Sequence, residues 1–173
     1  MKNALKIFRF RQNGFTAVET LVAVAIVGLL AVGMAAIISQ TFQQSQRTNE
    51  RVQAIEQVEN VAAWINRDAL MAQSLTAGAS AGFPLTLNWQ GLNGNINQVT
   101  YSLSGTSIQR SISVNGGAPS ISAIARNLDV DAAKTSCSYD PSGVLTFQVT
   151  SKIGMANESR TYEVKLRVDQ PSS

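Results

Sequence analysis

The fold of this 173-residue chain is decided by the stretch between residues 14 and 38, which reads GFTAVETLVAVAIVGLLAVGMAAII. From Leu21 to Ile38 no residue is charged, and after Glu19 the next charge is Arg47. At about 1.5 Å per residue, an α-helix over the uncharged run is roughly 27 Å long, close to the ~30 Å hydrocarbon core of a bilayer. The length and the lack of charge predict a membrane-spanning helix.

A short basic segment precedes the apolar run. It contains four cations, Lys2, Lys6, Arg9 and Arg11. Because the whole chain has a net charge of only +3, the rest of the chain is slightly acidic. Basic residues before an apolar run are typical of a membrane-targeting segment whose positive end stays in the cytoplasm. Because the basic character ends with this segment, we expect no nucleic acid among the partners.

Two other interpretations of the apolar run remain open. It could be the buried helix of a soluble core, or a secretory signal peptide cut at small residues such as Gly33, Met34 and Ala35. The uninterrupted length and the basic segment favour a membrane span over a buried helix. The run is also longer than the apolar core of a signal peptide, about 7–15 residues, and the helical pattern continues beyond it, which favours retention of the run.

The composition excludes several kinds of catalytic and metal site. The chain has no His and one Cys, with 45% hydrophobic and 14% charged residues. The lack of His excludes His-based acid–base catalysis, Ser-His-Asp triads and His-ligated metals. A single Cys excludes an internal disulfide and a Cys-cluster zinc site. We therefore expect a non-enzymatic protein without a cofactor.

Glu19 lies at the edge of the apolar run, where a carboxylate needs a partner. A charged side chain carried to the bilayer centre costs about 2.5–3.5 kcal/mol. If the chain were cut before Phe15, the new α-amino group would lie one helical turn from Glu19 and could pair with it within a chain or between chains. Glu19 would also lie in the first turn of the helix, where the macrodipole favours negative charge. The alternative is a carboxylate that rests among the lipid headgroups without a function.

These residues resemble the processing site of type IV pilins and type II secretion pseudopilins. The family pattern is a short basic leader, Gly, then Phe-Thr, a Glu at the fifth mature position, and an apolar helix. The matching residues are Gly14, Phe15, Thr16 and Glu19, and Gly28 falls where the family commonly has Gly. Many major pilins have Pro at the position of Ala36, so the resemblance points to a minor pilin or minor pseudopilin, PilW- or PulJ-like.

The resemblance implies a function, partners and a location. Prepilin peptidase would cut between Gly14 and Phe15 and methylate the Phe15 amine. Glu19 would pair with the N-terminal amine of an adjacent subunit and set the assembly register. The partners would be prepilin peptidase, other pilin or pseudopilin subunits, and an assembly platform with its ATPase. The protein would lie in the inner membrane with its head outside the cytoplasm, and later in an extracellular or periplasmic filament.

The helical pattern continues to about Leu75 as an amphipathic helix. Its apolar stripe recurs at spacings of three or four, and consists of Val52, Ile55, Val58, Ala62, Ile65, Ala69 and Ala72. Trp64 and Met71 are predicted to be core residues beneath a folded head. Residues 77–82 are small and predict a loop.

The C-terminal part has the alternation of β-strands. Strands are predicted around residues 85–89, 99–103, 108–114, 143–150 and 160–168, separated by turn signals such as Asn93-Gly94. An antiparallel sheet of about four to six strands would pack on the amphipathic helix and bury both apolar faces. The prediction is an α+β, pilin-like fold with a cleaved leader (1–14), a transmembrane or filament-core half-helix (15–40), an amphipathic half-helix (41–76) and a β-rich head (77–173).

Few residues of the head suggest chemistry. Asp129 and Asp131 point to one side of an extended segment and are the candidate pair for a hard cation such as Ca²⁺, the alternative being a solvated strand end. Cys137 has no His to activate it as a nucleophile. The alternative function is a membrane-anchored periplasmic enzyme or ligand-binding domain with an uncleaved anchor.

Overall fold

The computed structural model describes Gly14 and residues 16–166. The described residues fall into two compact units, one up to Gln44 and one from Ser45 onwards. The predicted leader, apart from Gly14, and Phe15 lie outside the described residues, as does Val168. The predicted cleavage and methylation at Phe15 therefore remain predictions.

One long helix, α1, spans Ala17–Met71 and contributes to both units. Its apolar part has a mean hydropathy of 2.9 over an 18-residue window, and none of that window is buried. By length and composition this helix is able to cross a membrane. No Pro occurs before Pro84, and Ala and Leu favour the helical state, which explains why the helix is not interrupted.

The second half of α1 is amphipathic, as predicted, with a shifted stripe. The predicted positions Val58, Ala62, Ile65, Ala69 and Ala72 are buried. The prediction was wrong for Val52, which is 48% exposed, while Ala54 and Val61 are buried in addition. The positions 54, 58, 61, 65, 68 and 72 alternate in steps of four and three, the spacing that keeps one helix face against a partner. Asp68 is the one acid in that series, and it is also buried.

The helix ends earlier than predicted, at Met71 and not near Leu75. The Gln73 N–H donates to the Asn88 carbonyl at 2.8 Å, so the chain leaves the helix to join a β-ladder. Strand β1, Ser74–Gly78, pairs with a neighbouring strand from Ser74 onwards. The predicted loop over residues 77–82 is therefore partly strand, because small residues accept a strand conformation when a partner strand supplies the hydrogen bonds.

Up to residue 166, the head contains eight antiparallel strands in two sheets, more than the four to six expected. After β1 they are β2 (Gly82–Gln90), β3 (Ile96–Ser104), β4 (Ser107–Val114), β5 (Ser120–Ala125), β6 (Ser136–Tyr139), β7 (Val144–Ile153) and β8 (Ala156–Lys165). The five-stranded sheet has the order β1-β2-β3-β4-β5 and the three-stranded sheet the order β6-β7-β8. The five predicted strands are confirmed as β2, β3, β4, β7 and β8. The short strands β1, β5 and β6 were missed, since they have only four to six residues, many of them small.

A single apolar cluster joins the second half of α1 to both sheets. Its largest buried side chains include Tyr101, Phe147, Ile65, Leu85 and Leu87. Trp64 packs against this cluster, as predicted. Met71 does not, because it is 42% exposed at the end of the helix. The predicted α+β layout, with a helix packed against antiparallel strands, is confirmed.

Candidate functional site

The N-terminus of α1 is closed by a reciprocal pair of hydrogen bonds between Thr16 and Glu19. The Glu19 N–H donates to Thr16 Oγ1 at 3.3 Å, and the Thr16 N–H donates to Glu19 Oε2 at 3.3 Å. The Thr16 hydroxyl also lies 3.2 Å from Glu19 Oε2. This is a capping box, which satisfies two backbone donors that would otherwise have no partner at a helix start. Glu19 is thus a structural residue of its own helix.

The capping role of Glu19 has a signal in the sequence that was missed. Thr-x-x-Glu before an apolar run is the pattern of a capping box, and Thr16 and Glu19 have that spacing. The sequence suggested a charge partner for the Glu19 carboxylate and a place for Thr16 in the family pattern, but no contact between the two. The structure brings these two predicted residues together.

Gly14 lies before this cap in open surroundings. A Cβ atom built on Gly14 meets no other atom within 4 Å. A Cβ atom at residue 14 would therefore clash with no other described part of the chain. A requirement for Gly would have to come from a protein that binds this segment.

The apolar side chains of the first unit are exposed on all sides of the helix. The exposed large hydrophobic residues here are Val18, Leu21, Val22, Val24, Ile26, Val27, Leu29, Leu30, Val32, Met34, Ile37, Ile38 and Phe42. Leaving so much apolar surface in water is costly, at roughly 25 cal/mol per Å². An exposed apolar surface of this extent marks a contact with lipid or with other protein chains.

Comparison with known proteins identifies this N-terminal segment. Residues 9–35 match the family described as the prokaryotic N-terminal methylation motif. The chain carries a type IV pilin-like prepilin signal. No curated protein and no solved structure matches the chain.

The prepilin signal confirms the coarser part of the resemblance. It indicates a type IV pilin-like or pseudopilin-like prepilin substrate and implies processing by prepilin peptidase and assembly with other pilins. With the apolar helix α1, the signal fits a membrane-anchored protein. The prepilin signal is typical of structural, non-enzymatic proteins.

A polar cluster lies in the head, separate from the Thr16–Glu19 cap. It is buried between α1 and the five-stranded sheet. Asp68 Oδ2 accepts hydrogen bonds from the Tyr101 hydroxyl at 2.5 Å and from Arg110 Nε at 2.7 Å. Burial, and then the Asp68 carboxylate, raise the pKa of Tyr101 above its ordinary value. Burial lowers the pKa of Arg110, but the hydrogen bond and charge of Asp68 outweigh that effect, so this pKa is also raised. Tyr101 therefore stays neutral, and Arg110 stays charged.

Trp64 lies against two guanidinium groups at this cluster. The Arg67 Cζ lies 4.1 Å and the Arg110 Cζ 4.7 Å from the centre of the Trp64 ring, within the range of cation–π contacts. Arg67 Nε also lies 3.6 Å from Asp68 Oδ1. The cluster fixes the position of α1 on strands β3 and β4, which is a structural role.

The predicted calcium candidates lie in the segment between β5 and β6. Asp131 Oδ1 accepts the Ala133 N–H at 2.9 Å, and Asp129 Oδ1 accepts the Asp131 N–H at 3.3 Å. One oxygen of each carboxylate therefore shapes the loop. Within Gly14 and residues 16–166, no group of three or more His, Cys, Asp or Glu residues could hold a metal ion.

Cys137 lies on β6 and is buried. Its Sγ lies 3.0 Å from the Gly82 carbonyl oxygen. Burial raises the pKa of the Cys137 thiol to about 12. Since the thiolate is the reactive form, the thiol is inert at neutral pH.

Proposed function

We propose that the chain is a minor pilin or pseudopilin, a structural subunit of a type IV pilus or a type II secretion filament. The observation that carries the proposal is the methylation motif at residues 9–35, which includes the start of a helix whose apolar window contains no buried residue. Such a helix needs lipid before assembly and neighbouring helices after it. Both environments remove the same apolar surface from water, so one sequence serves as membrane anchor and filament core.

In this proposal prepilin peptidase cuts between Gly14 and Phe15 on the cytoplasmic side and methylates the Phe15 amine. The basic segment keeps that end in the cytoplasm, and the head lies outside it. The exported subunit is then taken from the inner membrane into the filament by an assembly platform and its ATPase. Many major pilins have Pro where this chain has Ala36, and this difference supports a minor rather than a major subunit.

The carboxylate geometry of Glu19 supports a role in register. Glu19 Oε2 is occupied by the Thr16 backbone and hydroxyl groups. Glu19 Oε1 receives no hydrogen bond from any described residue. One oxygen therefore caps the helix of its own subunit, and the other is available for the N-terminal ammonium group of an adjacent subunit. A charge-assisted hydrogen bond of that kind inside an apolar filament core is strong and directional.

The mature N-terminus tests this function. The full chain is expressed with and without an active prepilin peptidase, and the purified protein is analysed by intact-mass and peptide mass spectrometry. We expect a chain that begins at Phe15 with one additional methyl group on its amine, only when the peptidase is active. An intact Met1, or a start near Ala35, would contradict the proposal and favour the anchored enzyme or ligand-binding domain.

A further inference from the structure

A cleft lies between the C-terminal end of α1 and the turn that joins β2 to β3. Its volume is about 540 Å³, and it is lined by Leu70, Met71, Gln73, Trp89, Gln90 and Leu92. Trp89 is half-buried, with part of its side chain packed on the core. Leu70, Met71 and Leu92 are exposed at the rim. The cleft therefore combines an aromatic ring, an apolar rim and two side-chain amides.

The two amides of the cleft are held in place by the backbone around them. Gln73 Oε1 accepts the Gln90 N–H at 3.0 Å, and Gln90 Nε2 donates to the Gly94 carbonyl at 3.3 Å. Gln73 Nε2 and Gln90 Oε1 have no hydrogen-bond partner among the described residues. A donor and an acceptor thus remain free on two side chains that line the same cleft as Trp89. Groups that are already ordered lose little entropy when they bind a ligand.

The cleft lies in a part of the chain that lacks charge. No Asp, Glu, Lys or Arg occurs between Asp68 and Arg110, and Arg110 is buried against Asp68. The preceding cation on the helix, Arg67, is stacked on Trp64. A charged ligand would lose its hydration here without gaining an opposite charge, which is unfavourable. The cleft is therefore suited to a neutral, hydrogen-bonding ligand.

We propose that this cleft binds a neutral oligosaccharide. A sugar ring has a C–H face that suits the apolar surface of Trp89, and hydroxyl groups that both donate and accept hydrogen bonds. Gln73 Nε2 can donate a hydrogen bond to one sugar hydroxyl, and Gln90 Oε1 can accept one from another. An apolar cleft with a few convergent polar groups is the usual form of a small-ligand site. The competing occupant is an apolar surface of another subunit, but such a surface makes no use of two ordered amides.

The proposal is tested on the full-length protein in a detergent without a sugar headgroup. The probes are cellohexaose, maltohexaose and the hexamer of N-acetylglucosamine, with binding measured by isothermal titration calorimetry. We expect a Kd below about 1 mM for at least one of them. Trp89→Leu keeps an apolar side chain on the core but removes the ring, and Gln73→Glu adds a charge, so each should weaken binding about tenfold or more. Trp64→Phe, the matched control outside the cleft, should leave binding unchanged.

Three results would overturn the proposal. The first is a Kd weaker than about 1 mM for all three probes. The second is unchanged affinity in both cleft variants; if Trp89→Leu does not fold, as judged by near-ultraviolet circular dichroism, Gln73→Glu decides alone. The third is loss of filament incorporation in Leu92→Arg without any sugar binding by the parent protein, which would assign the surface to a neighbouring subunit. The sugar-binding measurements do not depend on cleavage before Phe15, so this proposal and the proposed function stand or fail separately; only the Leu92→Arg assay requires a parent protein that enters filaments.

Discussion

Asp68 on α1 and Arg110 on β4 form an ion pair inside the protein, with Oδ2 and Nε 2.7 Å apart. Asp68 is 0% exposed and Arg110 is 7% exposed. Asp68 occupies a position in the apolar stripe of α1, and the pair connects that stripe to β4, the neighbour of the central strand of the five-stranded sheet. A buried ion pair of this kind stabilises the folded state little more than an apolar contact would. Removing one of its partners, however, strongly lowers the free energy of unfolding.

Asp68→Asn should therefore destabilise the head strongly. The substitution leaves the buried guanidinium of Arg110 without a countercharge, which typically costs about 3–5 kcal/mol. The measurement is the free energy of unfolding of the full-length protein in detergent, from urea titration. Glu158→Gln is the control, because it breaks the exposed pair with Arg51, a kind of pair worth about 0–1 kcal/mol. Equal effects of the two substitutions would contradict this assignment.

The stability of the head should fall at alkaline pH, partly through Cys137. Burial raises the pKa of the thiol from 9.0 to about 12. The neutral thiol therefore stabilises the folded state fully below pH 9, and this contribution is lost as the pH rises toward 12. The slope is at most about 1.4 kcal/mol per pH unit for one proton. Between pH 9 and 10 the free energy of unfolding of Cys137→Ala should decline less steeply than that of the parent protein; equal slopes would refute the assignment.

Glu19→Ala should leave membrane insertion intact and impair incorporation into filaments. The substitution removes the cap on Thr16 and the carboxylate together. Glu19→Gln separates the two roles, since Gln also completes a capping box but has no charge to offer an ammonium group. Both variants are assayed by membrane fractionation and by immunoblotting of sheared filaments. If Glu19→Gln incorporates normally, pairing with the N-terminal amine is not what sets the register.

Gly14→Ala should block processing. The chain itself leaves room for a Cβ atom at residue 14, so a block reports on the peptidase and not on folding of the substrate. Gly33→Ala is the matched control, because an added Cβ also meets nothing within 4 Å there and the position lies inside the helix. Mobility on a gel distinguishes the longer precursor from the mature chain. Normal processing of Gly14→Ala would place the cut elsewhere.

The sequence predicted the helix and the longer strands because their signals are local. Charge is absent from Leu21 to Ile38, and Val164 on β8 and Leu166 just after it are buried as their alternation predicts. Strand β1 was missed because Ser74–Gly78 is a strand only through its ladder with β2. Met71 was wrongly placed in the core, since helical periodicity cannot show where the covering sheet ends.

The N-terminal part of the candidate site could be predicted from the sequence, whereas the cleft and the buried polar cluster of the head could not. Glu19 lies within the methylation motif at residues 9–35, and the Thr16–Glu19 spacing gives the cap as well. The cleft beside Trp89 could not be read from the sequence, because Gln73 and Gln90 meet only when β1 pairs with β2. The same holds for Asp68, Tyr101 and Arg110, whose side chains come from three different elements.

The sequence by itself determined that this chain has a prepilin-type N-terminus and a long helix that is apolar first and amphipathic afterwards. Such features depend on residues within a few turns of one another, where composition and spacing act directly. Only the tertiary structure decided that eight strands form two sheets in the described part of the head, that Asp68 neutralises Arg110, and that two glutamines line one cleft with Trp89. These depend on contacts between residues far apart in the chain, which backbone pairing and burial select together.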